Sequence, residues 1–407
     1  MSETKKGLTS QQKQLIAICV VVYFVSYLTR KNYSSVLANI GESFKITETA
    51  ASFALTGMAI FYGTGQLLSG WLGDRTKPKY LIATGLFTTA AINGVLPLCS
   101  ALPENIRIPL LTVFWSINGL AQAMMWPPIV KMLSSTLSTD EYKKATVKVS
   151  YGSQAATVAI YLFGYLSVRF SVWEYIFYVP AVLAAIAAVV VLIKAPDVGI
   201  VKREKTQAAK STHAFPYLLL GSIMFVTMLQ GIMRDGVADW LPTYIDDRFG
   251  ISAENAILMG IAPPILSIVF YEITSFLSRR VFKNEMLCSA LIFGTGFLSS
   301  FVLSMFSESS VVLSVTMSTI VSASMHGVNL ILTCMIPQYF SKTGRVAFIA
   351  GLINSCTYLG SALSGYGFAA LAALIGWGGT IVGWAIICAV ACVICLVMTR
   401  KWARYKE

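Results

Sequence analysis

Two arginines stand where charge is expensive. Arg30 lies about fifteen residues into the first long apolar run, on the order of 20 Å deep at helical rise, and Arg234 lies comparably deep in the seventh. A guanidinium at the centre of a membrane span costs roughly 2.5–3.5 kcal/mol on insertion scales, so it normally faces a partner or a water-filled cavity. The partner could be internal: away from their end turns the spans hold three carboxylates, Asp235, Asp239 and Glu272, and a salt bridge could lock two helices. It could also be a ligand. Two guanidinium groups at equivalent depth would repel in an empty cavity, and an anion carrying about two charges relieves that repulsion. A phosphate monoester fits, because guanidinium forks match phosphate oxygens bidentately.

Other polar residues cluster around these two. Tyr23, Tyr27 and Arg30 are spaced i, i+4, i+7 and share one helix face. An offset of 204 residues carries Arg30 onto Arg234, Lys31 onto Asp235, Arg75 onto Arg279 and Lys79 onto Lys283, with Asp239 one turn beyond Asp235. Lys31 is therefore expected to pair with one of these aspartates and close the outer side of the site. Lys148 is either an additional cation for the cavity or a lysine snorkelling at the cytoplasmic edge. His326 and Asn329, one turn apart, read as a polar contact between helices, and Glu272 as a local partner of the Arg279 region without a transport role. Cys388, Cys392 and Cys395 share a helix face with no His or carboxylate beside them, which favours packing over metal binding. No metal or other cofactor is expected.

The elements that must position these residues are membrane helices. Of 407 residues 56% are hydrophobic and only 12% charged, about half the usual charged fraction. That excludes a soluble enzyme, a nucleic-acid binder and a disordered chain. Twelve stretches are apolar enough and long enough to span: approximately 14–38, 50–73, 80–100, 107–133, 144–168, 172–193, 215–245, 254–278, 285–306, 310–338, 344–374 and 377–399. Their interiors lack period-2 alternation, so the fold is expected to be all-α. The formal charge of +12 is mostly a topological label, since most of the 31 Lys and Arg fall on one side when the termini are placed inside. Both termini are expected in the cytoplasm. The first apolar run continues into Arg30 without a small-residue cleavage pattern, so span one is expected to remain. A basic, polar stretch at 194–213 divides the chain into an N-terminal half, 1–193, and a C-terminal half, 214–407. Two pseudo-symmetric six-helix bundles would place a site at the midplane between them.

The loop after span two reads Gly70-Trp-Leu-Gly-Asp74-Arg75-Thr-Lys77-Pro-Lys79. This resembles the cytoplasmic loop signature of the major facilitator superfamily; the second half keeps Arg279, Arg280 and Lys283, with Ser278 in place of the acid. At finer grain, Tyr27-Leu-Thr-Arg30-Lys31-Asn32-Tyr33, Trp126-Pro127-Pro128, the stretch from Arg234 through Asp239-Trp240 to Tyr244, and Tyr358-Leu-Gly360 resemble the organophosphate:phosphate antiporter family over nearly the whole chain. The resemblance implies that Arg30 and Arg234 hold the phosphate group, that Lys31 and Asp239 rather than Asp235 form an interdomain gate, and that Tyr23, Tyr27 and Tyr358 line the site. Trp126, Gln66, Lys148 and Gln154 join them as cavity-lining candidates. Gln66 stands where glycerol-phosphate and hexose-phosphate carriers often have a lysine, and Ser153 or Gln154 where they have a histidine.

The expected function is exchange of a phosphorylated organic anion, of the sugar-phosphate or glycerol-phosphate class, for inorganic phosphate across a bacterial-type inner membrane by alternating access. No G-x-x-x-x-G-K-[ST] loop or soluble domain is present, so a gradient must supply the driving force. The expected partners are the two phosphate substrates and membrane lipid, with no nucleic acid, and the protein is expected to be monomeric. The alternatives are a proton-coupled organic-anion symporter of the same superfamily and a sugar-phosphate sensor that does not transport. An enzyme is not expected, because no nucleophile, base and orienting group can be assembled from the spans.

Overall fold

Helix start signals sit where the apolar runs begin. In the computed structural model, which describes residues 8–46, 48–198, 217–250, 261–306, 310–343 and 345–406, Thr9 and Gln12 form a reciprocal capping box: Thr9 N donates to Gln12 Oε1 at 2.9 Å, and Gln12 N to Thr9 Oγ1 at 3.2 Å. These bonds satisfy donors that the first turn would otherwise leave open. Helix α1 follows, Ser10–Ser35, then α2 (Leu37–Phe44), α3 (Glu48–Arg75), α4 (Pro78–Val95), α5 (Glu104–Ala123), α6 (Trp126–Thr136), α7 (Thr139–Arg169) and α8 (Tyr175–Lys194). Proline in the first turn starts α4 and α6, where its missing N–H has no intrahelical role. After the polar stretch come α9 (Tyr217–Phe249), α10 (Ala262–Phe276), α11 (Glu285–Phe306), α12 (Val311–Asn329) and α13 (Val346–Lys406). Helix α13 is interrupted at Gly376, whose φ of +71° suits a residue without a Cβ.

The described residues contain helices and connections and no strand. Nine segments among them are long and apolar enough to cross a membrane. Helices α3 and α7 are long, 28 and 31 residues, but fall outside those nine; α7 carries Lys143, Lys144 and Lys148. The expected eighth span begins at 254–260, which lies outside the described residues, as do 199–213 of the expected linker and 215–216 of the seventh span. The expected fourth span, 107–133, is broken at Met124 and Met125 between α5 and α6. The expected tenth passes from α12 into a π-helical stretch, Leu330–Met335.

Helix α8 buries four alanines, Ala181, Ala184, Ala187 and Ala188, beside Ile176, Phe177, Pro180 and Val191, while Val182, Ile186, Val190 and Ile193 stay exposed. Large aliphatics outside and small residues inside is the arrangement expected where lipid, not water, covers the outer face.

Contacts gather the chain into two units. The first comprises Met1–Phe61 and Leu68–Val201 with Arg345–Phe348; the second comprises Tyr62–Leu67, Lys202–Gly344 and Ile349–Glu407. In the first, α1 packs on α7 and α8, and α4 on α5 and α8. In the second, α12 packs on α9, α10 and α11. Glu285 is 1% exposed and ties α11 to the end of α13, accepting from Tyr339 Oη at 2.6 Å, Trp402 Nε1 at 2.7 Å and Lys406 Nζ at 2.8 Å. A buried carboxylate is tolerable only when charge-assisted bonds of this kind replace its water.

Candidate functional site

In the first unit, α1 carries the predicted face. The Arg30 guanidinium lies 3.9 Å from the Tyr27 ring centroid, within cation–π range. Tyr27 meets Tyr23 at 5.0 Å between centroids, and Tyr23 meets Trp126 of α6 at 5.2 Å. The structure thus brings four predicted residues into one stack, with Arg30 8% exposed at its end and Trp126 buried.

What holds α1 in this orientation is a buried polar network on its other side, which sequence reasoning missed. Asn32 Nδ2 donates to Asn93 Oδ1 at 2.7 Å and to the Ile176 carbonyl at 3.2 Å. Asn118 Nδ2 reaches the Thr29 carbonyl at 3.1 Å, and Gln122 Nε2 reaches Thr29 Oγ1 at 2.8 Å. These side chains, from α1, α4 and α5, are all buried. In apolar surroundings each such bond resists rotation of α1, so Arg30, flanked by Thr29 and Asn32, is fixed in azimuth. Asn and Gln within apolar runs were the available signal.

In the second unit, α9 and α13 approach backbone to backbone. A Cβ on Gly231 would collide with the Thr357 carbonyl, and one on Gly360 with the Met228 carbonyl. This contact sets Tyr358 of α13 beside α9, its ring centroid 5.7 Å from the Arg234 guanidinium. Tyr358 in turn meets Tyr62 edge-on at 4.4 Å. Gln66, from the same short segment as Tyr62, is fully buried.

Arg234, 8% exposed, already holds an anion. Its Nε donates to Asp235 Oδ1 and its Nη2 to Asp235 Oδ2, each at 2.6 Å, and Ser361 Oγ donates to the same Oδ2. Arg234 thus has an internal salt bridge, but with the next residue along its own helix and not of the kind that locks two helices. Asp239, one turn further, is exposed. Behind Arg234, Ser322 Oγ donates to its carbonyl at 2.9 Å. Gln230 Nε2 reaches the Met325 carbonyl at 3.1 Å, and Asn329 Nδ2 reaches Gln230 Oε1 at 3.3 Å. His326 Nδ1 and Tyr271 Oη lie 3.3 Å apart.

The remaining candidates are more scattered. Gln154 is buried within α7, 4% exposed, and Lys148 is exposed on the same helix. Lys31 is half-buried on α1. The loop motif acts as a helix cap. Asp74 Oδ1 accepts from Ala347 N at 3.1 Å and Oδ2 from Phe348 N at 3.0 Å, so the carboxylate closes the first turn of α13. Gly70 lies against the Ala347 carbonyl at a distance that a Cβ would cut to 2.7 Å. Buried Lys131 donates to the Gly73 carbonyl at 2.7 Å, and Arg75 covers the Trp71 ring at 4.1 Å. Among the described residues no group of three His, Cys, Asp or Glu could hold a metal ion.

Comparison with known proteins places these features. The chain is 25% identical over 294 residues to the glycerol-3-phosphate transporter of Bacillus subtilis (strain 168), covering 66% of this chain and 65% of that protein. It is 21% identical over 309 residues to a probable hexose phosphate transport protein of Chlamydia muridarum, covering 68% and 66%. The matches thus span just under two thirds of the length of these curated relatives. The fold matches the crystal structure of the human organic anion transporter MFSD10 (TETRAN) with a TM-score of 0.78 at 12% identity, covering 94% of this chain and 99% of that one. With its apolar spans and bacterial relatives, the protein is an integral protein of a bacterial-type inner membrane. The profile of the Major Facilitator Superfamily matches residues 19–365, most of the chain, and the protein therefore belongs to that superfamily of transporters and is not an enzyme.

Proposed function

We propose that the protein is a secondary transporter that exchanges a phosphorylated organic anion, of the sugar-phosphate or glycerol-phosphate class, for inorganic phosphate. The observation that carries this reading is the pair of deep arginines, Arg30 and Arg234, each largely buried and each beside a tyrosine ring. The names of the relatives from Bacillus subtilis and Chlamydia muridarum support the same substrate class.

In this reading the chain has twelve spans with both termini inside, and two six-helix halves, 1–193 and 214–407, joined by 194–213. Arg30 and Arg234 serve one phosphate group, Tyr23, Tyr27 and Tyr358 line its surroundings, and the halves rock about it so that the site opens on either side in turn. Lys31 and Asp239 form the gate. The resemblance to the antiporter family favours Asp239, one turn beyond Asp235, as the partner of Lys31. Exchange is obligatory because the phosphate compensates the buried cations during the crossing, and the carrier without it crosses slowly.

The test is counterflow in proteoliposomes loaded with phosphate and challenged with a panel of phosphate esters and carboxylates. Uptake of an ester should require internal phosphate and survive a protonophore. Collapse of uptake with the proton gradient would establish the symporter instead, binding without counterflow would establish a sensor, and rapid net uniport would end the exchange mechanism.

A further inference from the structure

Helix α1 carries a groove on each of two flanks. On one flank, α1 and α8 enclose a groove of about 430 Å³ with aliphatic walls, running from Gln14 and Lys194 at one end to Val25 and Leu183 at the other. Gln14 Nε2 donates to the Lys194 carbonyl at 3.3 Å and ties the two helices together at the charged end. From Gln14 to Val25 a helix rises about 16 Å, roughly half of the 30 Å of hydrocarbon in a bilayer, so the groove has the depth of one leaflet. On the other flank, Lys13 and Lys148 line a groove of about 340 Å³ between α1 and α7, with Ile16 and Val20. Ala17 and Val21 line both grooves, so α1 is the ridge between them. Val21, Ile186 and Val190 are exposed aliphatics, which in a membrane protein lie against lipid. Lys148 shares its helix face with Ala155 and Leu162, which are exposed too, and so faces the same surroundings. Among the described residues that line either groove, none is acidic.

We propose that the paired grooves bind one acidic phospholipid with two phosphates, of the diphosphatidylglycerol class, which straddles α1 in the leaflet on the side of its N-terminus. Acyl chains lie in both grooves. One phosphate sits on Lys194, and the other on Lys13 and Lys148. Lysine stems can run along an apolar wall while their ammonium groups stay at headgroup level, so all three cations suit this position. A zwitterionic lipid would bring an ammonium of its own to these lysines, and a lipid with a single phosphate would serve only one of the two grooves. Basic pockets between membrane helices are suited to doubly charged headgroups for this reason.

The test is native mass spectrometry of the purified full-length protein, released from detergent micelles that contain one of three lipids with oleoyl chains. These are diphosphatidylglycerol, phosphatidylglycerol with its single phosphate, and zwitterionic phosphatidylcholine. The unaltered protein should retain one diphosphatidylglycerol, with an affinity about fivefold above phosphatidylglycerol and more than about tenfold above phosphatidylcholine. Lys194→Gln and Lys13→Gln, both at exposed positions, should each lower the affinity for diphosphatidylglycerol about fivefold, the weight of one lysine beside an acidic headgroup, and leave phosphatidylcholine unchanged. Ala17→Phe, which builds up the exposed ridge between the grooves with every lysine intact, should weaken diphosphatidylglycerol at least as much. Equal retention of diphosphatidylglycerol and phosphatidylcholine by the unaltered protein, or a preference that is unmoved in either lysine variant, would overturn the site. Equal affinity for the two acidic lipids would overturn the bridging of both grooves by one lipid, and undiminished binding in Ala17→Phe would overturn the placement of the chains.

Discussion

Arg30 and Arg234 occupy equivalent positions 204 residues apart, yet each unit supplies its arginine's surroundings differently. In the first unit the aromatic neighbour comes from the same helix: Tyr27 lies one turn before Arg30 and faces it at 3.9 Å. In the second the equivalent of Tyr27 is Gly231. Loss of that side chain lets the α13 backbone close onto α9, and Tyr358 arrives from the neighbouring helix at 5.7 Å. The following residue differs too. Lys31 in one unit is Asp235 in the other, and Asp235 binds its own arginine. Positional symmetry has been kept while the charge environment has been divided, so the two arginines are not interchangeable copies.

The comparison can be broken most decisively at the arginines. Arg30→Lys and Arg234→Lys should each reduce phosphate exchange by about a hundredfold or more, since an ammonium cannot reproduce the bidentate fork. Exchange retained in both, measured in proteoliposomes, would dissolve the site. Next is the swap at the residue one turn before. Gly231→Ala should destabilise by about 3 kcal/mol, because the added methyl meets the Thr357 backbone and not a flexible side chain. The reciprocal Tyr27→Gly should leave a folded protein with phosphate affinity weakened about tenfold through loss of the cation–π partner. Thermal unfolding in detergent read beside phosphate binding separates the two outcomes; a benign Gly231→Ala would mean the helices can part without cost.

Asn32→Ala sharpens the contrast in how the two arginine helices are anchored. It removes bonds to Asn93 and the Ile176 carbonyl, and should lower stability by about 1–3 kcal/mol. The loops differ as well: Asp74→Asn should cost about 1 kcal/mol by weakening the two backbone bonds at the start of α13, whereas Ser278→Ala should change thermal stability by less than about 0.5 kcal/mol. The smallest effect belongs to Asp197, whose carboxyl is held below its usual range chiefly by the hydrogen bond from Lys79 at 2.7 Å. A lowered carboxylate favours the fold above its ordinary pKa and loses that contribution as pH falls through the lowered one. Because Asp197 is exposed, Asp197→Asn should leave the thermal midpoint at neutral pH nearly unmoved and alter only its acid limb.

The sequence made the helical membrane fold and the two arginines plain for one reason: lipid makes charge rare, so each intramembrane charge carries information. Tyr23, Tyr27 and Arg30 were legible because helical periodicity alone puts them on one face. The Arg234–Asp235 bond was harder to read. Adjacent helical residues point about 100° apart, and the Ser361 hydroxyl that helps hold the carboxylate comes from a helix over a hundred residues later in the chain. The Thr29, Asn32, Asn93, Asn118 and Gln122 network was hard to read for another reason: its amides stand within apolar runs, but neutral amides cost too little to stand out in a hydropathy profile.

That network also bears on how the protein is made. A nascent chain leaves the ribosome from its N-terminus, so α1 enters the bilayer while Asn93, Asn118 and Gln122 are still to be synthesised. Until α4 and α5 follow, the Asn32 amide and the Thr29 carbonyl lack the protein partners they hold in the finished structure, a state that hydrocarbon penalises. The bonds that Thr29 and Asn32 make in the finished structure can therefore be complete only once Gln122 has been made. The azimuth of the arginine in the first helix is thus fixed by residues that the ribosome adds three helices later in the order of synthesis, in α4 and α5.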